Sequence, residues 1–152
     1  MEKALVTKLE KYCAYQERCH FEVRNKAFEI GLYGDDVDLA LLHLIQANFL
    51  NEERFVELYI RSKINQKRWG PIKIEIALKQ KRIEPKLIKK FINKVDEKLW
   101  VKNLSYLAER FIQTKNINLT IFKQKTQVQK YLYSKGYRFE TIEFAIKKWL
   151  ST

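Results

Sequence analysis

The chain has 152 residues, 46% of them hydrophobic and 32% charged, which suits one domain or a few small repeated units and excludes disorder by composition. Four Gly and two Pro are too few turn-formers for a sandwich or barrel of many short strands, so helices are favoured. Thirty Lys and Arg against 18 Asp and Glu give a net charge of +12, which points to a polyanionic partner.

The first predicted element is an amphipathic helix marked by Leu5, Leu9 and Tyr12, and its opening residues Met1-Glu2-Lys3-Ala4-Leu5 contain no secretory apolar stretch. The longest apolar runs, such as Ala40-Leu41-Leu42 and Phe91-Ile92, fall far short of the roughly 20 residues a membrane-spanning helix needs. Cys13 and Cys19 are the only cysteines and suggest no disulfide framework, so a reduced, cytoplasmic setting is expected. His20 and His43 are the only histidines. No Cys/His set has zinc spacing, so neither metal nor cofactor is expected.

Two further helices follow, on either side of Gly31. Apolar residues Val23 and Ala27 lie eight and four positions before it, and Leu32, Val37, Leu41 and Leu44 lie one, six, ten and thirteen after it. Such steps of four, four and three put residues on one helical face. The same pattern surrounds Arg82 (Ile74, Leu78, Ile83, Ile88, Ile92, Val95) and Gly136 (Val128, Leu132, Tyr137, Ile142, Ile146, Trp149). The register points therefore recur after 51 and then 54 residues. A preceding helix is marked in the second repeat by Phe55, Leu58, Tyr59 and Ile64, and in the third by Trp100, Leu104, Leu107 and Phe111. The predicted fold is all-α, a tandem array of three three-helix repeats at 1–49, 50–96 and 97–152, elongated and curved. Core packing accounts most simply for the aromatics, including Phe28, Phe91, Phe111 and Trp149.

Turn chemistry agrees with this division. Gly31 and Gly136 can take the left-handed conformation that closes a helix, whereas Arg82 at the same register would be strained or use another turn. Pro85 suits a first helical turn. Asn51 is an N-cap ahead of Glu52 and Glu53, and Asp35, Asp36 and Asp38 face the dipole of the helix that follows Gly31. These acids are thus read as structural. The sequence has no Gly-rich phosphate loop, no G-x-S-x-G elbow and no histidine–glutamate metal motif, so the protein is expected not to be an enzyme.

The positive charge is uneven. Residues 1–50 carry six basic and eight acidic side chains, 51–95 carry thirteen and five, and 96–152 carry eleven and five. The densest stretch, Arg61, Lys63, Lys67 and Arg68, runs into Trp69-Gly70-Pro71, with Lys73, Lys79 and Lys81 on the helix that follows. Arginine and lysine there could neutralise phosphate or carboxylate. Trp69 could stack on a base or pack against the next helix. Arg54, among Glu53 and Glu57, is either an internal ion-pair partner or a contact residue. A secondary basic surface comprises Lys123, Lys125, Lys130, Lys135 and Arg138.

Residues 50–83 read Leu50-Asn51-Glu52-Glu53-Arg54-Phe55, then Arg61-Ser62-Lys63, Trp69-Gly70-Pro71, Ile74, Leu78 and Ile83. This resembles the signature of the bacterial RecX family of regulatory proteins, which has a leucine, an acidic pair and Arg-Phe, a basic stretch, a glycine and an Ile…Leu…Gly-Ile helix. Cys19, Glu22, Val23, Lys26, Ala27 and Gly31 fit a second family pattern, with Cys19 where a capping serine is usual and Arg82 where a glycine is usual. The resemblance implies a tandem array of three-helix repeats and a non-enzymatic modulator of the RecA recombinase. It implies binding in the groove of the RecA–DNA filament, restraint of ATP hydrolysis and strand exchange, and a place in recombination and DNA repair. The partners so expected are the RecA filament and, weakly through phosphate, single-stranded or duplex DNA, with the protein a monomer. Two alternatives stay open: a general helical DNA-binding protein acting without RecA, and a protein-binding solenoid with an acidic partner.

Overall fold

The computed structural model describes residues 2–151. Its described residues form helices joined by short turns and loops, with no strand: α1 Lys3–Tyr15, α2 His20–Glu29, α3 Asp35–Gln46, α4 Glu52–Ser62, α5 Pro71–Gln80, α6 Pro85–Ile92, α7 Glu97–Lys115, α8 Phe122–Ser134 and α9 Phe139–Leu150. A π-helical turn, Lys63–Lys67, continues α4. The chain divides into two compact units, Met1–Tyr59 with Leu78–Ile88 and Ile60–Ala77 with Lys89–Thr152. Helices α4, α5 and α6 each contribute residues to both, so the predicted second repeat is shared between the units.

The periodic apolar residues form the interior. Of the residues aligned on Gly31, Arg82 and Gly136, all but Val95 and Trp149 are buried. In the first unit α1, α2 and α3 pack on one another. Their core joins Leu9, Cys13, Val23, Ala27, Leu32, Val37, Leu41 and Leu44. In the second unit α7, α8 and α9 pack pairwise, burying Trp100, Leu104, Val128, Leu132, Ile142 and Ile146. Each fully buried aliphatic side chain contributes about 1.5–3 kcal/mol. Phe28 departs from the expected pattern. It is 50% exposed, because the face of α2 that points inward is already occupied by Val23 and Ala27.

Helix ends follow local chemistry. Asn51 Oδ1 accepts the Arg54 N–H at 2.9 Å, and Asp96 Oδ1 accepts the Lys98 N–H at 3.0 Å. Pro85 opens α6. Gly31 (φ 105°) and Gly136 (φ 96°) are left-handed, and so is Arg82 at φ 59°. A glycine at this position would be unstrained. The arginine there accepts a cost of about 1 kcal/mol and holds its guanidinium 5.4 Å from the centre of the Phe21 ring.

Cys19 starts α2 in a capping box: its N–H donates to Glu22 Oε1 at 3.1 Å while its thiol faces the Glu22 N–H. The second Glu22 oxygen takes the Lys81 ammonium at 3.1 Å, so one carboxylate caps a helix and anchors a lysine. Burial pushes the Cys19 thiol up to about 12 and the Cys13 thiol up to about 11. Both thiols therefore stay protonated and shielded in the folded chain. Ellman's reagent at pH 8 is expected to label neither until urea unfolds the first unit. Stability should also fall as pH rises above about 9, where only the unfolded chain's cysteines ionise. Fast labelling of the native protein would contradict this packing.

Candidate polyanion-binding surface

The first basic cluster owes its position to how α4 ends. The π turn widens the helix, and Arg68, left-handed at φ 53°, stops it with its N–H on the Ile64 carbonyl. Asn103 of α7, a buried polar residue, donates its Nδ2 to the same carbonyl at 3.2 Å. The Trp69 N–H then donates to the Lys63 carbonyl at 3.2 Å, folding the basic stretch back on itself.

Gly70 brings this stretch onto the α8–α9 turn. Its N–H donates to the Lys135 carbonyl at 2.7 Å, and the Ile72 N–H donates to the Gly136 carbonyl at 2.9 Å. The two backbones touch. A Cβ on Gly70 would lie 2.6 Å from the Tyr137 nitrogen, and one on Gly136 would lie 2.6 Å from the Lys73 nitrogen. The Tyr137 side chain is fully buried, and its hydroxyl donates to the Arg68 carbonyl at 2.7 Å. Burial raises the pKa of that phenol, which remains a donor.

The contact merges two clusters that are far apart in sequence. Lys67 and Lys73 on one side meet Lys135 and Arg138 on the other, with Lys67 and Arg138 exposed. Lys63 and Lys73 hold their ammonium groups 5.0 and 4.8 Å from the centre of the Trp69 ring. Arg68 lies against α7 instead, its guanidinium 3.8 Å from the centre of the Tyr106 ring. Lys123 and Lys125 stand near the opposite end of α8, about 18 Å away at 1.5 Å per residue, with the exposed Lys130 between. Arg61 is exposed on the last turn of α4.

The remaining candidates belong to the other compact unit. Arg54 donates to Glu17 at 2.6 Å, to Asn48 Oδ1 at 3.0 Å and to the Asn48 carbonyl at 3.1 Å. Arg54 is thus an internal ion-pair partner, of Glu17 in the α1–α2 connection. Lys81 is tied to Glu22. Burial works against its charge, but the carboxylate's hydrogen bond and charge override that and raise its pKa. Lys79 is exposed. Among the described residues no three His, Cys, Asp or Glu side chains form a metal-binding group, and no helix is long and apolar enough to cross a membrane.

These helices and their repeated register define an all-α protein built of three-helix modules. Residues 51–90 match the sequence model of the second three-helix domain of RecX. The "Regulatory protein RecX" of Lactobacillus gasseri is 25% identical over 90% of this chain and 50% of its own length, and that of Clostridium tetani is 30% identical over 85% and 59%. The chain spans about half the length of the curated relatives it matches. The crystal structure of RecX from Lactobacillus salivarius, 22% identical, superposes with a TM-score of 0.86 over 95% of this chain and 94% of that one, which establishes the shared fold. Residues 51–90 thus carry the pattern of the second RecX three-helix domain, and most of the chain is similar in sequence to proteins of the RecX family.

The two register glycines provide a test of the junction. Gly31→Ala adds only left-handed strain, since a Cβ there meets nothing within 4 Å. Gly136→Ala adds the same strain and also drives a methyl into the Lys73 backbone. Urea unfolding should show a loss of about 1 kcal/mol for the first and about 1–3 kcal/mol more for the second. Equal losses would mean that the two backbones do not meet.

Proposed function

We propose that the protein is a non-enzymatic modulator of the RecA recombinase. It binds in the groove of the RecA–DNA filament and restrains ATP hydrolysis and strand exchange. Similarity to proteins named regulatory protein RecX supports RecA as the partner, since resemblance to that family implies a modulator of the recombinase. The observation that carries the contact surface is the junction at Gly70 and Gly136, which joins two basic clusters into one surface. Lysines dominate it, and a lysine neutralises phosphate or carboxylate as a point charge without reading base edges. Arg54, Lys81 and the Arg68 backbone serve the scaffold, while Lys63, Lys67, Lys73, Lys135 and Arg138 make the contact.

A single exposed charge is worth well under about 1 kcal/mol, so several must be removed together. The combined variant Lys63→Gln, Lys67→Gln, Lys73→Gln and Arg138→Gln spares Arg68, Tyr137 and both glycines. Its melting should stay near that of the unaltered protein, while suppression of RecA ATPase on single-stranded DNA weakens at least several-fold. Full suppression by the folded variant at the same salt would move the functional surface elsewhere, first to Lys123 and Lys125. Binding to bare DNA should be weak and indifferent to duplex sequence, with a log–log salt slope of roughly −0.7 to −0.9 per phosphate contact. Tight binding to one duplex sequence at physiological salt would instead favour a DNA reader acting without RecA.

A further inference from the structure

Trp69 is the most tightly placed residue of the basic surface. On one side the Arg68 carbonyl is held by the Tyr137 hydroxyl at 2.7 Å, and on the other the Gly70 N–H is held by the Lys135 carbonyl at 2.7 Å. Its own N–H is bonded to the Lys63 carbonyl. The side chain is nevertheless partly exposed, unlike Trp100, which is buried at 4%. Nor does the repeat require an indole at this place. The residue thirteen positions before the register point is Trp69 in the second repeat and Arg18 in the first. There Arg18 donates to the Tyr12 carbonyl at 3.0 Å and lies 3.7 Å from the centre of the Tyr12 ring. The repeat therefore closes without an aromatic at that position.

The surroundings of Trp69 match what single-strand binders combine, an aromatic face to stack on and cations that track the backbone. Two ammonium groups lie within 5.0 Å of the ring centre, and Lys67, Lys135 and Arg138 surround the same junction. An exposed cation–π contact is weak, so a base can take the place of an ammonium group on the ring. A duplex keeps its bases stacked inside and offers the indole none.

We propose that Trp69 is a stacking platform for an unpaired nucleobase, with Lys63 and Lys73 on the phosphates that flank it, so that this surface binds single-stranded nucleic acid in preference to duplex. This role rests on the reading of the surface as one that meets DNA, and adds the class of DNA it meets.

The test compares a dT oligonucleotide, an abasic oligonucleotide of the same length and a duplex, titrated at fixed salt into the full chain. In the unaltered protein, tryptophan fluorescence should be quenched by dT and much less by the abasic strand or the duplex. Trp149 is also partly exposed, so Trp69→Phe should remove this quenching if it arises at Trp69. Trp69→Ala should weaken dT binding about tenfold and leave abasic binding unchanged, whereas Trp69→Phe, which keeps a ring, should retain most of the dT affinity. Circular dichroism and melting confirm that both variants fold. Equal quenching by dT and abasic strands, or an equal loss for both with Trp69→Ala, would overturn the stacking role. Should either occur while the four-residue Gln variant still loses RecA suppression, the filament reading stands and only the nucleobase contact falls.

Discussion

The close approach of two backbones at Gly70 and Gly136 is the constraint on which the basic surface depends. Any side chain at either position would collide with main-chain atoms of the other segment. Two hydrogen bonds, from Gly70 and Ile72 to the α8–α9 turn, use the room that the missing Cβ atoms leave. Tyr137 adds a third bond from below, where burial leaves its hydroxyl the Arg68 carbonyl to donate to. Without that contact Lys73 and Lys135 would belong to separate surfaces, and the charge would be spread rather than gathered.

A second theme is how the helices stop. Asn48, Arg68, Arg82 and Asn116 join Gly31 and Gly136 in the left-handed region. Asparagine tolerates that region well and arginine does not. Both arginines compensate by laying a guanidinium on an aromatic ring, Arg68 on Tyr106 and Arg82 on Phe21. The strained positions are thus tied to neighbouring elements through the same side chains that make them costly.

The helices and their buried faces were legible in the sequence because a spacing of three and four residues carries that information directly. Asn51, Pro85, Gly31 and the Cys19–Glu22 box could likewise be read, since each acts within one turn. The site was legible only in part. The stretch Arg61–Arg68 and the group around Lys135 each stood out by charge, but nothing local says that they meet. Gly70 beside Pro71 carries no local sign of its role, which depends on a partner 66 residues away. Arg54 could be read as an internal ion-pair partner, but Glu17, 37 residues away, could not be named from the sequence. The π turn left no signal in the periodicity. Tyr137 was readable as a core residue, but its hydroxyl bond was not, because the acceptor is a backbone carbonyl with no sequence signature.

The second compact unit is discontinuous in the chain, for it joins Ile60–Ala77 to residues from Lys89 onward. That has a consequence for birth on the ribosome. As synthesis proceeds, α1, α2 and α3 can pack soon after they emerge, since the residues of their shared core lie within the first 50 of the chain. The segment from Lys63 to Lys73 must wait, its Gly70 and Ile72 N–H groups unmatched, until Gly136 and Tyr137 have left the exit tunnel. At about 5–20 residues per second that delay is several seconds. The lysines of this segment then have a provisional use: by repelling one another they keep the waiting stretch soluble and discourage premature collapse onto the wrong helix.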